Sequence, residues 1–468
     1  MISLRALLVS LFALSAFARA LPQPEVLNDN QTTGQKYVVA HVIVGNLAPY
    51  TIDNWKSDIN LAQANGLDGF VLNTGAGQQD RVSLAFQAAQ ELGTGFKLFM
   101  SFDMSAMPCA TEDDAAVLRK YITDYAQHPN QLIYKGRVYA TTFAGQECKF
   151  GQGSVVTGWA TQFSRHPDLT GMNRVYFVPG FFIDPATFPT YNDVIDGSIN
   201  WNSAWPTSIT AENVGGLSQA QLDDLLAGTA TDNSYLSGLA SMSNSSDKGY
   251  LPTVSPWFFT HYSPQTFNKN WVYYGDSHMY AKRWESLVSR RDQFDIVEVV
   301  TWNDFGESHY IGPIEGAQPN SQAWVDGFDH TAWLGLTNYY AQAFKAGSFP
   351  AITEDKLYMW ARPNPKDATT TDDSVGQPTN FEMETDTVWV VALTTAAATV
   401  TLSTTSSDAK SSNVSAGLSK LSIPISAGGI MHGQIVRNGQ VAVDLQPAGF
   451  TFNSNPTNYN YNAFVATN

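Results

Sequence analysis

The chain is short of cysteine, of positive charge and of long apolar runs, and each shortage closes off a class of protein. Of 468 residues only two are cysteine, Cys109 and Cys148. Two thiols with no His-x-His pattern nearby make a poor metal site, so no metal centre is expected. Lys and Arg number 26 against 42 Asp and Glu, a net charge of −16. So acidic a chain repels phosphate backbones and anionic lipid, which argues against nucleic acid and membranes as partners. Beyond residue 20 no run is apolar enough to span a bilayer. Catalytic signatures are missing as well. No Gly-rich phosphate loop follows a strand, and there is no Gly-x-Ser-x-Gly elbow and no His-Glu-x-x-His motif. Nucleotide, flavin, serine-hydrolase and zinc-protease chemistry are thereby disfavoured, and no cofactor is expected.

What is present begins with a leader. Arg5, the apolar run 6–17 and Ala18-Arg19-Ala20 have the order of a secretory signal peptide over residues 1–20, followed by a polar stretch to residue 36. The mature protein is therefore expected to be a secreted monomer, extracellular or in a cell wall. In an oxidising compartment Cys109 and Cys148 are expected to pair, with free thiols as the alternative. Asn30, Asn244 and Asn413 head possible glycosylation sequons.

Eight buried, β-prone runs then follow: 37–44, 67–72, 96–102, 138–143, 174–178, 198–205, 250–255 and 296–300. Each is followed by a helical segment or connection. Thr51 or Asp53 can cap the first helix, and Thr111-x-x-Asp114 is a capping box for a later one. Helical patterns are also read at 154–165, 218–242, 280–287 and 331–346. Alternation of this kind predicts an α/β fold, a (β/α)8 TIM barrel over residues 37–350. Past Pro350 the helical signals vanish and short β-prone runs alternate with Ser/Thr/Asn/Gly clusters, predicting a β-sandwich domain over 351–468. Trp360 and Trp389 are read as its core, and the last residues as a peripheral strand or a tail.

The stretch 295–313, Asp-Ile-Val-Glu-Val-Val-Thr-Trp-Asn-Asp-Phe-Gly-Glu-Ser-His-Tyr-Ile-Gly-Pro, passes from a buried strand into a polar loop. Carboxylates at the C-terminal ends of barrel strands read as catalytic. Asp304 and Glu307 therefore stand out, although Asp-x-x-Glu also fits a helix cap. Other carboxylates and aromatics at strand ends are Asp103, Asp184, Trp201, Trp205, Trp257, His261, Tyr262, Trp302 and Tyr310. A carboxylate pair among aromatic walls is what glycoside hydrolysis needs: an acid for the leaving oxygen, a base for water, and apolar ring faces for sugars.

Five segments, 40–46, 55–59, 66–73, 255–259 and above all Thr-Trp-Asn-Asp-Phe-Gly-Glu-Ser-His-Tyr-Ile-Gly-Pro at 301–313, resemble glycoside hydrolase family 71. These are the fungal α-1,3-glucanases, or mutanases. The resemblance, over about 37–350, implies a barrel with a β-sandwich, α-1,3-glucan of fungal walls as substrate, and water-dependent cleavage with inversion. It carries the acid/base pair onto Asp304, taken as the base, and Glu307, taken as the acid, with the roles open to exchange. His41, Asn73, Asp103, Trp205, Trp257, His261, Tyr262, Trp302, Asn303 and Tyr310 are the substrate-site candidates. An endo-α-mannosidase-like hydrolase is the rival among enzymes, since related barrels carry a similar loop. A non-catalytic glycan-binding wall protein is the rival of another class.

Overall fold

The computed structural model describes residues 34–468, so the signal peptide, most of the leader and the Asn30 sequon lie outside the described residues. Strands β1 (Tyr37–Ile43), β2 (Gly69–Thr74) and β3 (Lys97–Asp103) come first, then a two-residue β4 (Ile133–Tyr134) and β5 (Arg137–Phe143). β6 (Val175–Gly180), β7 (Gly197–Asn200) and β8 (Gly249–Val254) follow. A hairpin of β9 (Phe259–Tyr262) and β10 (Lys269–Val272) precedes β11 (Ile296–Val299). The parallel strands lie in the order β6-β5-β3-β2-β1-β11-β8-β7, a curled sheet with β1 at its middle. At the ends of that order, the Asp196 N–H donates to the Phe177 carbonyl at 2.7 Å and Ser198 Oγ to the Pro179 carbonyl at 3.2 Å. β2 is buried at every position, as a parallel strand covered on both faces must be.

Helices α1 (Ile52–Ala64), α2 (Gln79–Leu92) and α3 (Glu112–Tyr125) alternate with the first strands. Of the two caps offered for α1 it is Thr51 that serves, in a reciprocal box with Asn54, and Thr111 closes the capping box expected with Asp114. The later helices depart from expectation. The segment 154–165 is α4 (Val155–Trp159) running into a π turn. The segment 218–242 is two helices, α5 (Gln219–Ala227) and α6 (Thr229–Ala240), divided at Gly228 with φ +69°. A Cβ on Gly228 would stand 2.6 Å from the Arg283 guanidinium, which is buried against Asp232. The strand expected over 198–205 stops at Asn200, where Ser203 Oγ donates to the Asn200 carbonyl at 2.8 Å and Trp201–Ala204 forms a 3-10 turn. α7 (Met279–Ser289), α8 (Gln322–Val325) and α9 (Ala332–Ala346) complete this part.

The C-terminal part holds β12 (Lys356–Ala361), β13 (Thr387–Thr394), β14 (Ala398–Ser403), β15 (Lys410–Val414), β16 (Gly417–Pro424), β17 (His432–Arg437), β18 (Gln440–Leu445) and β19 (Phe464–Thr467). They make two antiparallel sheets, β16-β13-β12-β19 and β15-β14-β17-β18. Leu357, Met359 and Val390 of the first share a core with Val400, Leu402 and Ile435 of the second. The first sheet turns Tyr358, Trp360 and Val391 toward the α/β part, where they join its larger core. Trp360 is fully buried and Trp389 half-buried, its indole N–H donating to Asp276 at 2.8 Å. Cys109 and Cys148 form a disulfide joining the segments after β3 and β5, as the sequence led us to expect.

Arg362 of the C-terminal part, 2% exposed, is 2.7 Å from Glu384, 2.9 Å from Asp386 and 3.8 Å from Asp276, which precedes α7. Burial and the neighbouring Asp276 push the Glu384 carboxyl up to about 8. One guanidinium thus serves three acids at the seam between the two parts. Removing it by Arg362→Met should cost about 3–5 kcal/mol, because the acids stay buried without their partner. Urea denaturation measures this; a loss under about 1 kcal/mol would mean that the cluster is dispensable.

Candidate active site

The loop after β11 is built by its own backbone. The Thr301 N–H donates to the His309 carbonyl at 2.8 Å, and Ile311 N–H to Thr301 at 3.0 Å, closing 301–311 on itself. Asn303 fastens it to β1, its Oδ1 accepting from Ile43 N–H at 2.7 Å. Phe305–Glu307 is a single 3-10 turn, ended by Ser308 at φ 61°. Asp304 makes no side-chain cap to that turn, so the helix-cap reading of Asp-x-x-Glu does not hold here. Gly306 is required: a Cβ would lie 2.0 Å from the Tyr262 hydroxyl.

Asp304 and Glu307 face a cleft of about 260 Å³ with Asn73, Asp103, Tyr262 and Lys269. Trp201, Phe143 and the exposed Phe267 give it aromatic walls. The two carboxylates are 23% and 14% exposed. Lys269 Nζ lies 2.7 Å from Glu307 Oε1. His309 Nε2 lies 3.1 Å from Glu307 Oε2 and 3.8 Å from Asp304 Oδ2. Burial, and then the charge of Glu307, push the Asp304 carboxyl up to about 6. Burial works on Glu307 in the same direction, but His309 and the Lys269 ammonium outweigh it and hold that carboxyl down at about 2. Donor atoms of Asp304, Glu307 and His309 lie within 4.8 Å of one another, a spacing open to a metal ion. The Lys269 ammonium already supplies a cation there, and the trio suits proton handling better.

His309 is fully buried, its ring 5.2 Å from Trp205 and stacked 5.6 Å from Phe258. Trp205 therefore cages His309 instead of facing the cleft. Other candidates also lie behind the wall, each because its polar atom has a structural partner. Trp302 donates to Asp58 at 2.9 Å, and Trp257 to the Tyr461 carbonyl at 2.8 Å. Tyr310 donates to the Phe328 carbonyl and stacks on His330 at 3.9 Å. Asn303 is used up on β1. His261 contacts Asp373 at 2.7 Å, outside the cleft. His41 is 1% exposed, its Nδ1 2.6 Å from the buried Glu298 and its ring 4.9 Å from Trp201. Asp184 caps a 3-10 turn by accepting from Ala186 N–H at 2.9 Å. Of the substrate-site candidates, Asn73, Asp103 and Tyr262 reach the cleft. The sequence offered no signal for Lys269, which sits on a hairpin strand that was not anticipated, or for Phe143 and Phe267. Trp201 was among the strand-end aromatics without being a substrate-site candidate, and His309 stood in the 301–313 motif without being singled out.

The profile of glycosyl hydrolase family 71 matches residues 34–468. The chain belongs to that family. A glucan endo-1,3-alpha-glucosidase of Schizosaccharomyces pombe is 38% identical over 440 residues, covering 93% of this chain and 95% of the relative. A mutanase of Penicillium rubens is 30% identical over 478 residues, 99% of this chain and 96% of the relative. An ascus wall endo-1,3-alpha-glucanase of S. pombe is 30% identical over 447 residues, 91% and 96%. Among solved structures, the family 99 endo-alpha-mannosidase of Bacteroides thetaiotaomicron superposes with a TM-score of 0.45 at 12% identity, over 64% of this chain and 81% of that one.

For a family 71 site that needs one proton on the pair, kcat/KM should fall as pH rises through about 6, when Asp304 ionises, and again toward about 2, when Glu307 takes up a proton. Lys269 lowers both carboxyls, so Lys269→Met should move both limbs to higher pH. A basic limb that stays put in that variant would remove Lys269 from the electrostatics.

Proposed function

We propose that the chain is a secreted, monomeric α-1,3-glucanase, in which a (β/α)8 barrel over residues 37–350 hydrolyses α-1,3-glucosidic bonds of fungal cell-wall glucan and a β-sandwich over 351–468 supports it. On this reading the seam of the barrel lies between β6 and β7, bridged by the Asp196–Phe177 and Ser198–Pro179 hydrogen bonds. The observation that carries the functional reading is Asp304 and Glu307 side by side in one cleft, one inclined to hold a proton and the other to release it. The relatives named above, α-1,3-glucanases and a mutanase along nearly their whole length, support the choice of glucan. Among the described residues no helix is long and apolar enough to cross a membrane, which is consistent with secretion.

Cleavage needs one group to protonate the departing oxygen and another to take a proton from water. Both Glu307 oxygens are engaged, by Lys269 and by His309, and Asp304 keeps its proton below about pH 6. In that range the one ionised carboxyl is tied at both oxygens, a state better suited to accepting a proton from water than to attacking the sugar. Inverting pairs hold their carboxyl groups ~6.5–9.5 Å apart and retaining pairs ~5–5.5 Å; the nearest oxygens here are within 4.8 Å, so inversion requires the pair to open. Asp304, with His309 at 3.8 Å as its ionic neighbour, is the side chain free to swing aside for water. Asp304 as base and Glu307 as acid requires the proton to cross to Glu307 when substrate enters; the reverse requires no transfer. Trp201, Phe143, Tyr262 and Phe267 supply apolar faces for the sugars.

Reducing-sugar release from insoluble α-1,3-glucan tests the reading. Asp304→Asn and Glu307→Gln should each lose about 10²–10⁴-fold in kcat while staying folded. Azide should restore cleavage to the variant lacking the base, read as glycosyl azide by mass spectrometry, and leave the other inert. Activity within tenfold of wild type in both variants would exclude this pair, and a wild type that cleaves α-mannan but not α-1,3-glucan would replace the substrate.

A further inference from the structure

Beside the cleft lies a second cavity of about 290 Å³, and Tyr262 lines both. One side of this groove comes from the α/β part, with His261, Asn320 and Trp324, and the other from Asp372, Ser374 and Asn458 of the C-terminal part. Its walls are fixed to each other. Asp373, whose side chain is 6% exposed, sets Oδ2 2.7 Å from His261 Nε2 and accepts from the Tyr459 N–H at 2.8 Å and the Val375 N–H at 2.9 Å. Burial would raise the Asp373 carboxyl, but those N–H groups and His261 outweigh it and keep it below the usual range. Asn270 holds the other His261 nitrogen at 2.8 Å, and Asn458 Nδ2 donates to the Ala323 carbonyl at 2.6 Å. Acid/base cleavage has no use for this carboxylate and imidazole; what they do is lock the 372–375 loop against the β9–β10 hairpin.

The groups lining the groove suit a neutral ligand. None of the residues lining it is Lys or Arg, so an anion has nothing to pair with. Asn320, Asp372, Ser374 and Asn458 instead offer amide, hydroxyl and carboxylate groups suited to neutral hydroxyls, beside the Tyr262 and Trp324 rings. At the junction with the catalytic cleft the exposed Phe267 ring packs edge-on against Tyr262 at 4.7 Å. A polymer lying across Asp304 and Glu307 would continue over this aromatic pair.

We propose that the groove is a second sugar-binding site, holding glucose units of the same glucan chain that is cut in the cleft, so that the C-terminal part takes a direct share in substrate binding. The proposal rests on the α-1,3-glucanase reading. It is tested with Ser374→Trp, which fills the groove, and Asp372→Ala, which removes an exposed acceptor, each checked for an unchanged melting temperature. The readout is the ratio of kcat/KM on long α-1,3-glucan to that on a short soluble α-1,3-oligosaccharide. The ratio should fall about tenfold or more in Ser374→Trp, the loss of roughly one good contact, and by less in Asp372→Ala. Binding of Glu307→Gln to insoluble α-1,3-glucan should weaken in step when Ser374→Trp is added. An unchanged ratio in both folded variants overturns the groove and leaves the enzyme reading intact. A wild type inactive on both glucans overturns the enzyme reading, and this assignment with it.

Discussion

Two carboxylates cannot share a half-buried cleft unless something answers for their charge. Here the answer is unequal: Lys269 and His309 both contact Glu307 directly, while Asp304 feels them from farther off, with His309 at 3.8 Å. That inequality is what pushes the two acids apart in proton affinity, and paired titratable groups separated in this way mark acid/base work. Much of the surrounding structure holds the arrangement in place. Trp205 and Phe258 cage His309, the β9–β10 hairpin delivers Lys269, and Asn303 pins the loop to β1. Gly306 leaves room for the Tyr262 hydroxyl.

The C-terminal part is more than a neighbour. His330 spans from the Tyr310 carbonyl at 3.0 Å to the Ala463 carbonyl at 2.9 Å, and His278 reaches the Val390 and Leu421 carbonyls. Burial pushes both imidazoles down to about 4, and a neutral His330, with a single N–H, donates to one of its two carbonyls only. With the Arg362 cluster these contacts fix the second part against the loop that bears Asp304 and Glu307. Asn462 Nδ2, 3.2 Å from the Tyr310 hydroxyl, places the end of the chain directly behind that loop.

The order of strands and the location of the carboxylate pair were legible in the sequence because both leave local marks. Buried parallel strands read as continuous apolar runs, and a polar loop after such a run stands out. The capping box at Thr111 was legible for the same reason. What failed was direction. Trp257, Trp302 and Tyr310 adjoin strand ends or the Asp304–Glu307 loop in sequence, yet each turns away because its indole N–H or hydroxyl is taken by Tyr461, Asp58 or Phe328. Partners so far along the chain leave no trace in a local pattern. Lys269 was invisible for a related reason: its meaning comes only from a hairpin that lays it 38 residues back from Glu307.

The account turns on water, and not a carboxylate, attacking the sugar. The direct measurement is proton NMR of the anomeric signal during the first turnovers of a soluble α-1,3-oligosaccharide. A β-configured product appearing before mutarotation is the predicted result. An α-configured first product would mean a covalent intermediate, and would require Glu307 or Asp304 to be free to form it.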